Sequence, residues 1–454
     1  IYFIQNGMGE LIMEKETRKN YGAAGLLPLL IFLLLYVGCL AVFTINGAKD
    51  PSSYMPRQVA ILIALVFALV FFEPRSKFSK KMDLYLNNAG NAGVMNLALI
   101  VMMAGGFSSA VTISGGQSSI VNLGVSLIPS QFLVPGIFLI SAIISLCIGT
   151  STGTIVTMAP VTFSLVAAAH LNAGMAGAAV ITGSYFGDGL SMIGGTTISA
   201  AAGVGSPMKD KFLWQIKIAT PAALLTIIAY TLMSLNNGSA HHVAAGSYNI
   251  ITILPYLAVL VLAAVGMDVV IVLALGTVMA SAIGMFLGKA DIFDCAKAIG
   301  AGMESMFWLA IFAMMVNGMV ALMRYYGGID WLVHVFTKRI HSKASCEALI
   351  GILSFCVTGA IVNNNISVLI TSPIARELGD EYKVDRKVLA GIISIFAVTA
   401  SMVIPQDSAM MMTLQLAGKS TNYLDLIRYM FYPVILMALT FVVNYITAKK
   451  KTAE

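Results

Sequence analysis

The sequence predicts an all-α polytopic membrane protein with two inverted-topology repeats, broken or re-entrant helices and about 11–14 membrane segments. Three observations lead to this fold class. The 454 residues are 58% hydrophobic and only 11% charged, with a mean hydropathy of +0.87. Long apolar runs recur from Leu26 to Ile446. Segments of the first half also recur, in the same order, in the second half.

The apolar segments are separated by charged or turn residues. They lie near 26–45, 57–73, 91–113, 131–149, 153–170, 173–203, 213–235, 250–267, 269–288, 303–323, 345–361, 362–379, 387–417 and 429–447. Several are interrupted by Gly, Pro or polar residues, which is typical of helices that break inside the bilayer. Residues 76–88 and 289–301 are predicted to form short interfacial helices.

An internal repeat divides the chain. Residues 91–107 align with 302–319, and the helix around Pro28 matches the helix around Pro255. The predicted organisation is an N-terminal cytoplasmic segment at 1–20, a first repeat at 21–235, an extracytoplasmic connector at 236–249, a second, inverted repeat at 250–447 and a cytoplasmic tail at 448–454. Residues 1–12 have no basic region followed by an apolar core, so we do not expect a signal peptide there.

The basic residues predict the orientation. If the N-terminus is cytoplasmic and the crossings alternate, most of the 27 Lys and Arg residues fall on the cytoplasmic side. We therefore expect both termini in the cytoplasm of a bacterial inner membrane, with the lipid bilayer as the main partner. The net charge of +6 is explained by these helix-end residues, so no nucleic-acid partner is expected.

The least ordinary stretch is Gly183–Gly203, which begins as a small-residue helix and then becomes polar. It contains Asp188, Ser191, Thr196 and Thr197 among glycines. Glycine permits a helix to open in the bilayer, and the carboxylate and hydroxyls supply oxygens for a cation. An unpaired carboxylate at mid-bilayer costs about 2–3 kcal/mol. The alternative interpretation is that Asp188 only caps the following half-helix.

The second repeat has a matching break at 401–413. Pro405 ends a helix there, and Asp407 and Ser408 follow it directly. Asp407 has the same two interpretations as Asp188, a cation-binding carboxylate or a helix start. Both aspartates are candidate Na⁺ ligands.

Each break is preceded by a polar hairpin, at 149–154 in the first repeat and at 359–367 in the second. The four polar breaks are expected to converge on one cavity. The hairpins carry the remaining candidate ligands, Thr150, Ser151 and Thr152 in the first and Asn363, Asn364 and Asn365 in the second. The alternatives are helix packing for the hydroxyls and a polar helix-end turn for the amides.

Other classes of site are disfavoured by the sequence. The five cysteines form no C-x-x-C pair, and the five histidines have no partner at metal-ligand spacing. A P-loop of the form G-x-x-x-x-G-K-[ST] is absent. We therefore expect no cofactor, no enzymatic activity and no ATP-driven pumping.

The segments G-T-S-T-G-T (149–154) and G-S-Y-F-G-D (183–188), continued to Thr196-Thr197, resemble the NhaC-type Na⁺/H⁺ antiporters. The segment I-P-Q-D-S (404–408) is similar to the second half of that family. The resemblance implies ion-coupled secondary transport. It places Asp188 at the family's acidic position, with Ser191, Thr196 and Thr197 in the same motif.

The chain departs from the family pattern at three positions. Gly195 stands where the family usually has a second Asp, Met192 where it has Pro, and Asp407 where an amide is common. We expect Na⁺/H⁺ antiport by alternating access at a midplane site. The alternative is a Na⁺- or H⁺-coupled carrier of a small organic acid or amino acid. We also expect that the chain can form a homodimer.

Overall fold

The computed structural model describes residues 20–48, 51–74, 76–127, 129–192, 194–236, 247–265 and 267–453. Within these ranges the regular structure is helical, without strands. The leader at 1–12, all of the segment 1–20 except Asn20, most of the connector 236–249 and Glu454 of the tail lie outside the described residues.

Twenty helices are referred to below by number. In chain order they are α1 (Gly22–Ile45), α2 (Arg57–Phe71), α3 (Phe78–Ala89), α4 (Ala92–Ile113), α5 (Gly116–Leu127), α6 (Ser130–Ile148), α7 (Ser151–Ala169), α8 (Ala173–Leu190), α9 (Gly195–Val204), α10 (Met208–Asn236), α11 (Ile250–Ala264), α12 (Val269–Phe286), α13 (Ile292–Tyr325), α14 (Gly328–Thr337), α15 (Lys343–Ile361), α16 (Asn364–Glu381), α17 (Arg386–Val403), α18 (Ser408–Ala417), α19 (Tyr423–Ile427) and α20 (Phe431–Ala453).

The lengths and compositions of these helices suit a membrane. Eight helical segments of the described chain are long and apolar enough to cross one, the last being α17 together with α18. Four shorter apolar helices, α2, α7, α11 and α20, accompany them. The prediction of an all-α, polytopic chain is confirmed.

One boundary prediction is wrong. The segments expected at 289–301 and 303–323 form the single 34-residue helix α13. In the first repeat, Gly90 ends α3 and the Asn91 side chain accepts a hydrogen bond from Val94 N at 3.0 Å, which starts a new helix. The equivalent stretch around Gly300 has no such capping side chain, so the helix continues.

The structure forms two compact units, which are described separately. The first contains Ile1–Val94 and Met314–Arg339. In it, the buried Lys81 ammonium donates to the carbonyls of Leu69 and Phe72, the latter at 2.9 Å, and so caps the C-terminal end of α2. A cation at this end of a helix satisfies carbonyls that have no helical partner.

The second unit contains Met95–Ala313 and Ile340–Glu454. In this unit the same order of elements occurs twice: a helical hairpin, a broken helix and a long helix. These elements are α6–α7, α8–α9 and α10 in the first repeat, and α15–α16, α17–α18 and α20 in the second. The two hairpins turn through left-handed residues, Gly149 (φ 75°) and Val362 (φ 58°), and each turn is followed by a capping side chain.

The broken helices of the two repeats pack against each other in opposite directions. Gly177 on α8 faces Thr413 on α18, and Tyr185 further along α8 bonds to Asp407 before the start of α18. The short helix α9 packs on α16, and α18 packs on α7. Each half-helix therefore lies against the hairpin of the other repeat, as inverted repeats require.

Close packing of α6 on α8 positions the first break. The Ser145 hydroxyl donates to the Ser184 carbonyl, and a Cβ added to Gly187 would lie 2.6 Å from the backbone nitrogen of Leu146. No side chain fits at Gly187 unless a backbone moves. Close backbone approach through small residues is the usual way in which membrane helices associate.

Gly187→Ala is expected to lower the free energy of unfolding by about 1–3 kcal/mol, because the methyl group overpacks this contact. Thermal unfolding in detergent measures the change. Gly136→Ala on α6 is the matched control, since a Cβ there meets nothing within 4 Å. Equal melting temperatures for the two variants would contradict the close packing of α6 and α8.

Candidate functional site

The first break separates α8 from α9. Helix α8 ends at Leu190, Ser191 is extended (φ −67°, ψ 130°), and Gly194 occupies the position before α9. Ser191 anchors the break because its hydroxyl donates to Leu146 O at the end of α6, at 3.0 Å. Asp188 lies in the last turn of α8 and is 5% exposed.

The Asp188 carboxylate lies at the start of another helix. Its neighbour there is Ser151, the first residue of α7, whose hydroxyl and backbone N–H favour the ionised carboxylate. A Cβ on Gly194 would lie 3.0 Å from Asp188 Oδ1, so the start of α9 also faces this carboxylate without an intervening side chain. Helix N-termini present unpaired N–H groups and favour negative charge. The starts of α7 and α9 therefore both favour a negative charge on Asp188.

A buried lysine completes this side of the site. Lys211 on α10 is fully buried, and its ammonium donates to Gly189 O at 3.2 Å and to Thr197 Oγ1 at 2.9 Å. It also interacts electrostatically with Asp188. One turn further along α10, Gln215 Nε2 donates to the same Gly189 carbonyl at 3.0 Å.

The second break places Asp407 in a similar environment. Asp407 is 4% exposed and caps α18, with Oδ1 accepting from Ala409 N at 2.9 Å. The Tyr185 hydroxyl donates to the same oxygen at 3.1 Å. Tyr185 lies one turn before Asp188 on α8 and interacts electrostatically with both carboxylates. It therefore connects the two breaks.

A second connection between the repeats runs through Thr196. Its hydroxyl donates to Asn365 Oδ1 at 2.7 Å, which joins the first turn of α9 to the first turn of α16. Thr197, the next residue, instead faces Gly189 and Lys211. The adjacent threonines thus bond on different sides of α9.

The remaining predicted residues have local roles in the structure. Thr150 caps α7 and accepts from Gly153 N at 3.3 Å, and Asn363 caps α16 and accepts from Ile366 N at 3.0 Å. Asn364 Oδ1 accepts from the backbone amide of Asn365. Thr152 and Ser408 lie in the first turns of α7 and α18, next to the carboxylate-binding groups in sequence.

The site has spare acceptor oxygens. Gln215 Oε1 and Gln406 Oε1 are buried without a hydrogen-bond partner, while the amide nitrogens of both side chains donate to carbonyls next to the breaks. The Ser184 hydroxyl, also buried, is unpartnered as well. Buried polar atoms normally have partners, so these oxygens are available as acceptors. Within the described ranges, no group of three or more His, Cys, Asp or Glu residues is placed to hold a metal ion.

Sequence reasoning missed Lys211, Tyr185 and Gln215. Lys211 lies close to the start of α10, where a basic residue is expected to mark the cytoplasmic end of a helix. The spacing of Lys211 and Gln215, four residues apart, places both on one helix face and was the signal available. Nothing in the sequence indicated that this face packs on the break.

Comparisons with known proteins identify the family. A family model described as the Na⁺/H⁺ antiporter family matches residues 12–235 and again residues 235–448, so each half of the chain matches it. The NhaC Na⁺/H⁺ antiporter of Bacillus subtilis is 24% identical over 83% of this chain and 87% of that protein.

Two further relatives match this chain over different lengths and are named for different functions. An uncharacterized Na⁺/H⁺ antiporter of Haemophilus influenzae is 28% identical, but the match covers only 31% of this chain and 30% of that protein. A malate-2H⁺/Na⁺-lactate antiporter of Bacillus subtilis is 21% identical over 92% of this chain and 95% of that protein.

The two matches to one family model, which together extend from residue 12 to residue 448, confirm the resemblance seen in the motifs around Asp188. The chain belongs to the Na⁺/H⁺ antiporter family of secondary active transporters.

Proposed function

We propose that this chain exchanges Na⁺ for H⁺ by alternating access at the two helix breaks of the second unit. The observation that carries the proposal is the pair of buried carboxylates, Asp188 and Asp407, which Tyr185 connects across the repeats. Family membership supports Na⁺ and H⁺ as the two exchanged ions.

Each carboxylate can hold either a proton or a cation. Burial disfavours an uncompensated charge, so a carboxylate that releases Na⁺ is best neutralised by a proton. Carboxylate, carbonyl and hydroxyl oxygens are the ligands that hard cations take. Asp188, Gly189 O and Thr197 Oγ1 supply these three types at the first break. Asp407, with the Tyr185 hydroxyl, supplies the second carboxylate.

The half-helices provide the moving parts. The α9 and α18 helices each pack on the hairpin of the other repeat. A small rotation of one repeat against the other changes which side of the site is open, which is the usual mechanism for inverted repeats. The protein is proposed to lie in the bacterial inner membrane with both termini in the cytoplasm, in keeping with the distribution of Lys and Arg. A homodimer is proposed as its assembly.

A second candidate is exchange of a small organic anion coupled to Na⁺ or H⁺. The observation that favours it is the absence of a side chain at Gly195, which is exposed and lies close to the Asn365 amide, with Nδ2 3.2 Å from where a Cβ would stand. An amide donor and two helix N-termini could hold a carboxylate. The malate–lactate relative lends this candidate distant support.

Asp188→Asn is expected to reduce Na⁺-driven proton exchange in proteoliposomes by about tenfold or more, because the cation loses its charged ligand; tenfold corresponds to about 1.4 kcal/mol. A pH-sensitive dye inside the vesicles measures the exchange. Glu304→Gln is the control, since this carboxylate is exposed on α13. Wild-type exchange rates in the Asp188 variant would refute its assignment as the cation ligand.

Thr196→Val is expected to lower the exchange rate roughly fivefold, since the lost hydrogen bond to Asn365 contributes about 1 kcal/mol to the contact between the repeats. Thr196→Ser retains the hydroxyl and should exchange Na⁺ at the wild-type rate. The same proteoliposome assay compares the two variants. If the Ser and Val variants behave alike, the hydrogen bond has no role in transport.

The two candidate functions predict different stabilising ligands. For Na⁺/H⁺ antiport, Na⁺ alone should raise the melting temperature of the purified protein, because a ligand that binds the folded state stabilises it. A thermal-shift screen with Na⁺, dicarboxylates and amino acids measures this. Stabilisation by an organic anion, and none by Na⁺ alone, would overturn the first candidate in favour of the second.

A further inference from the structure

Lys211 is a buried cation that the proposed exchange of Na⁺ for H⁺ does not explain. It lies on α10, outside the two broken helices, yet its ammonium reaches the break and bonds to Gly189 O and Thr197 Oγ1. Among the described residues, Asp188 is the charged group that acts on it. A fully buried ammonium is costly unless an opposite charge and acceptors compensate it.

We propose that Lys211 is a resident counter-ion, whose ammonium occupies the cation position of the first break when no Na⁺ is bound. Na⁺ then binds at Asp188 by displacing this ammonium. The inference rests on the proposed function, since it assumes that Na⁺ binds at Asp188. It assigns to Lys211 the role of setting the affinity of this site for Na⁺.

The ammonium uses the oxygens that a cation would take. A backbone carbonyl at a helix break and a threonine hydroxyl are hard-cation ligands, and both accept from Lys211 at 3.2 Å or less. Gln215 Oε1, which is buried one turn away on the same helix, has no partner. Lys211 does not donate to that oxygen, which is therefore a further acceptor available to an ion.

When one cation displaces another, the negative charge of Asp188 always has a positive charge nearby. With Lys211 in place, Asp188 has a positive charge in its neighbourhood in the absence of Na⁺, so the empty site does not bury an isolated carboxylate. The lysine has a flexible four-carbon stem that starts on a different helix from the break. Its ammonium can withdraw without unfolding α8 or α9. Competition from this tethered charge weakens Na⁺ binding and favours release.

The test compares Na⁺ affinities of the full-length protein at one fixed pH. Isothermal titration with NaCl would be performed on wild type, Lys211→Met, Lys211→Gln and the control Lys217→Met, whose lysine is exposed on the same helix. Lys211→Met should bind Na⁺ about tenfold more tightly, because the competing cation is gone. Lys211→Gln should also bind Na⁺ more tightly than wild type, although its side chain keeps an N–H donor. Lys217→Met should match wild type.

The outcomes separate this inference from the proposed function. Unchanged or weaker Na⁺ binding in both Lys211 variants, with Na⁺ binding by wild type intact, would overturn the counter-ion role alone. A lysine that only packs against the break would leave the Na⁺ affinity unchanged or lower it when removed. Failure of both variants to fold would assign Lys211 a structural role and would also overturn the inference. Absence of Na⁺ binding by wild type would overturn both proposals.

Discussion

The second unit depends on how it compensates two carboxylates that are buried among apolar helices. Asp188 and Asp407 are each less than a tenth exposed, so neither can rely on water. Both lie at the start of a helix, where Asp188 neighbours Ser151 of α7 and Asp407 accepts a hydrogen bond from Ala409 N of α18. A continuous membrane helix has no free N–H groups in its interior. Only a chain that stops and restarts inside the unit can supply them, which is why the helices are broken at these positions.

The repeat explains why the breaks meet. Each repeat contributes a hairpin and a broken helix, and the inverted arrangement brings the half-helix of one repeat onto the hairpin of the other. Tyr185 and Thr196 then bond across the repeats, to Asp407 and Asn365. The two repeats are not equivalent at the site. The first has a lysine beside its carboxylate, whereas the second has a tyrosine from the other repeat. This asymmetry places a positive charge near one carboxylate and a neutral hydroxyl donor on the other.

Much of this arrangement could be predicted from residue types along the chain. Glycines around Asp188 and Pro405 before Asp407 indicated broken helices, and polar residues after Gly149 and Val362 indicated hairpin turns. These are local signals, set by backbone conformations that only certain residues favour. Lys211 could not be assigned in this way, because its role depends on a contact between α10 and the break. A lysine near a helix start looks like an interfacial anchor until the packing is known. The division of α13 into two segments was wrong because the stretch around Gly300 lacks the capping side chain that Asn91 supplies in the first repeat.

Asp188 is proposed to hold the transported cation, and the Lys211 ammonium to occupy the same position when the ion is absent. Two cryo-electron microscopy structures of the full chain would test this proposal most directly, one in NaCl and one in N-methylglucamine chloride. We expect density between the Asp188 carboxylate and Thr197 Oγ1 in Na⁺ only, with the Lys211 ammonium withdrawn from Gly189 O. A structure in Na⁺ with the ammonium still bonded to Gly189 O and Thr197 Oγ1, and with ion density elsewhere, would contradict this proposal.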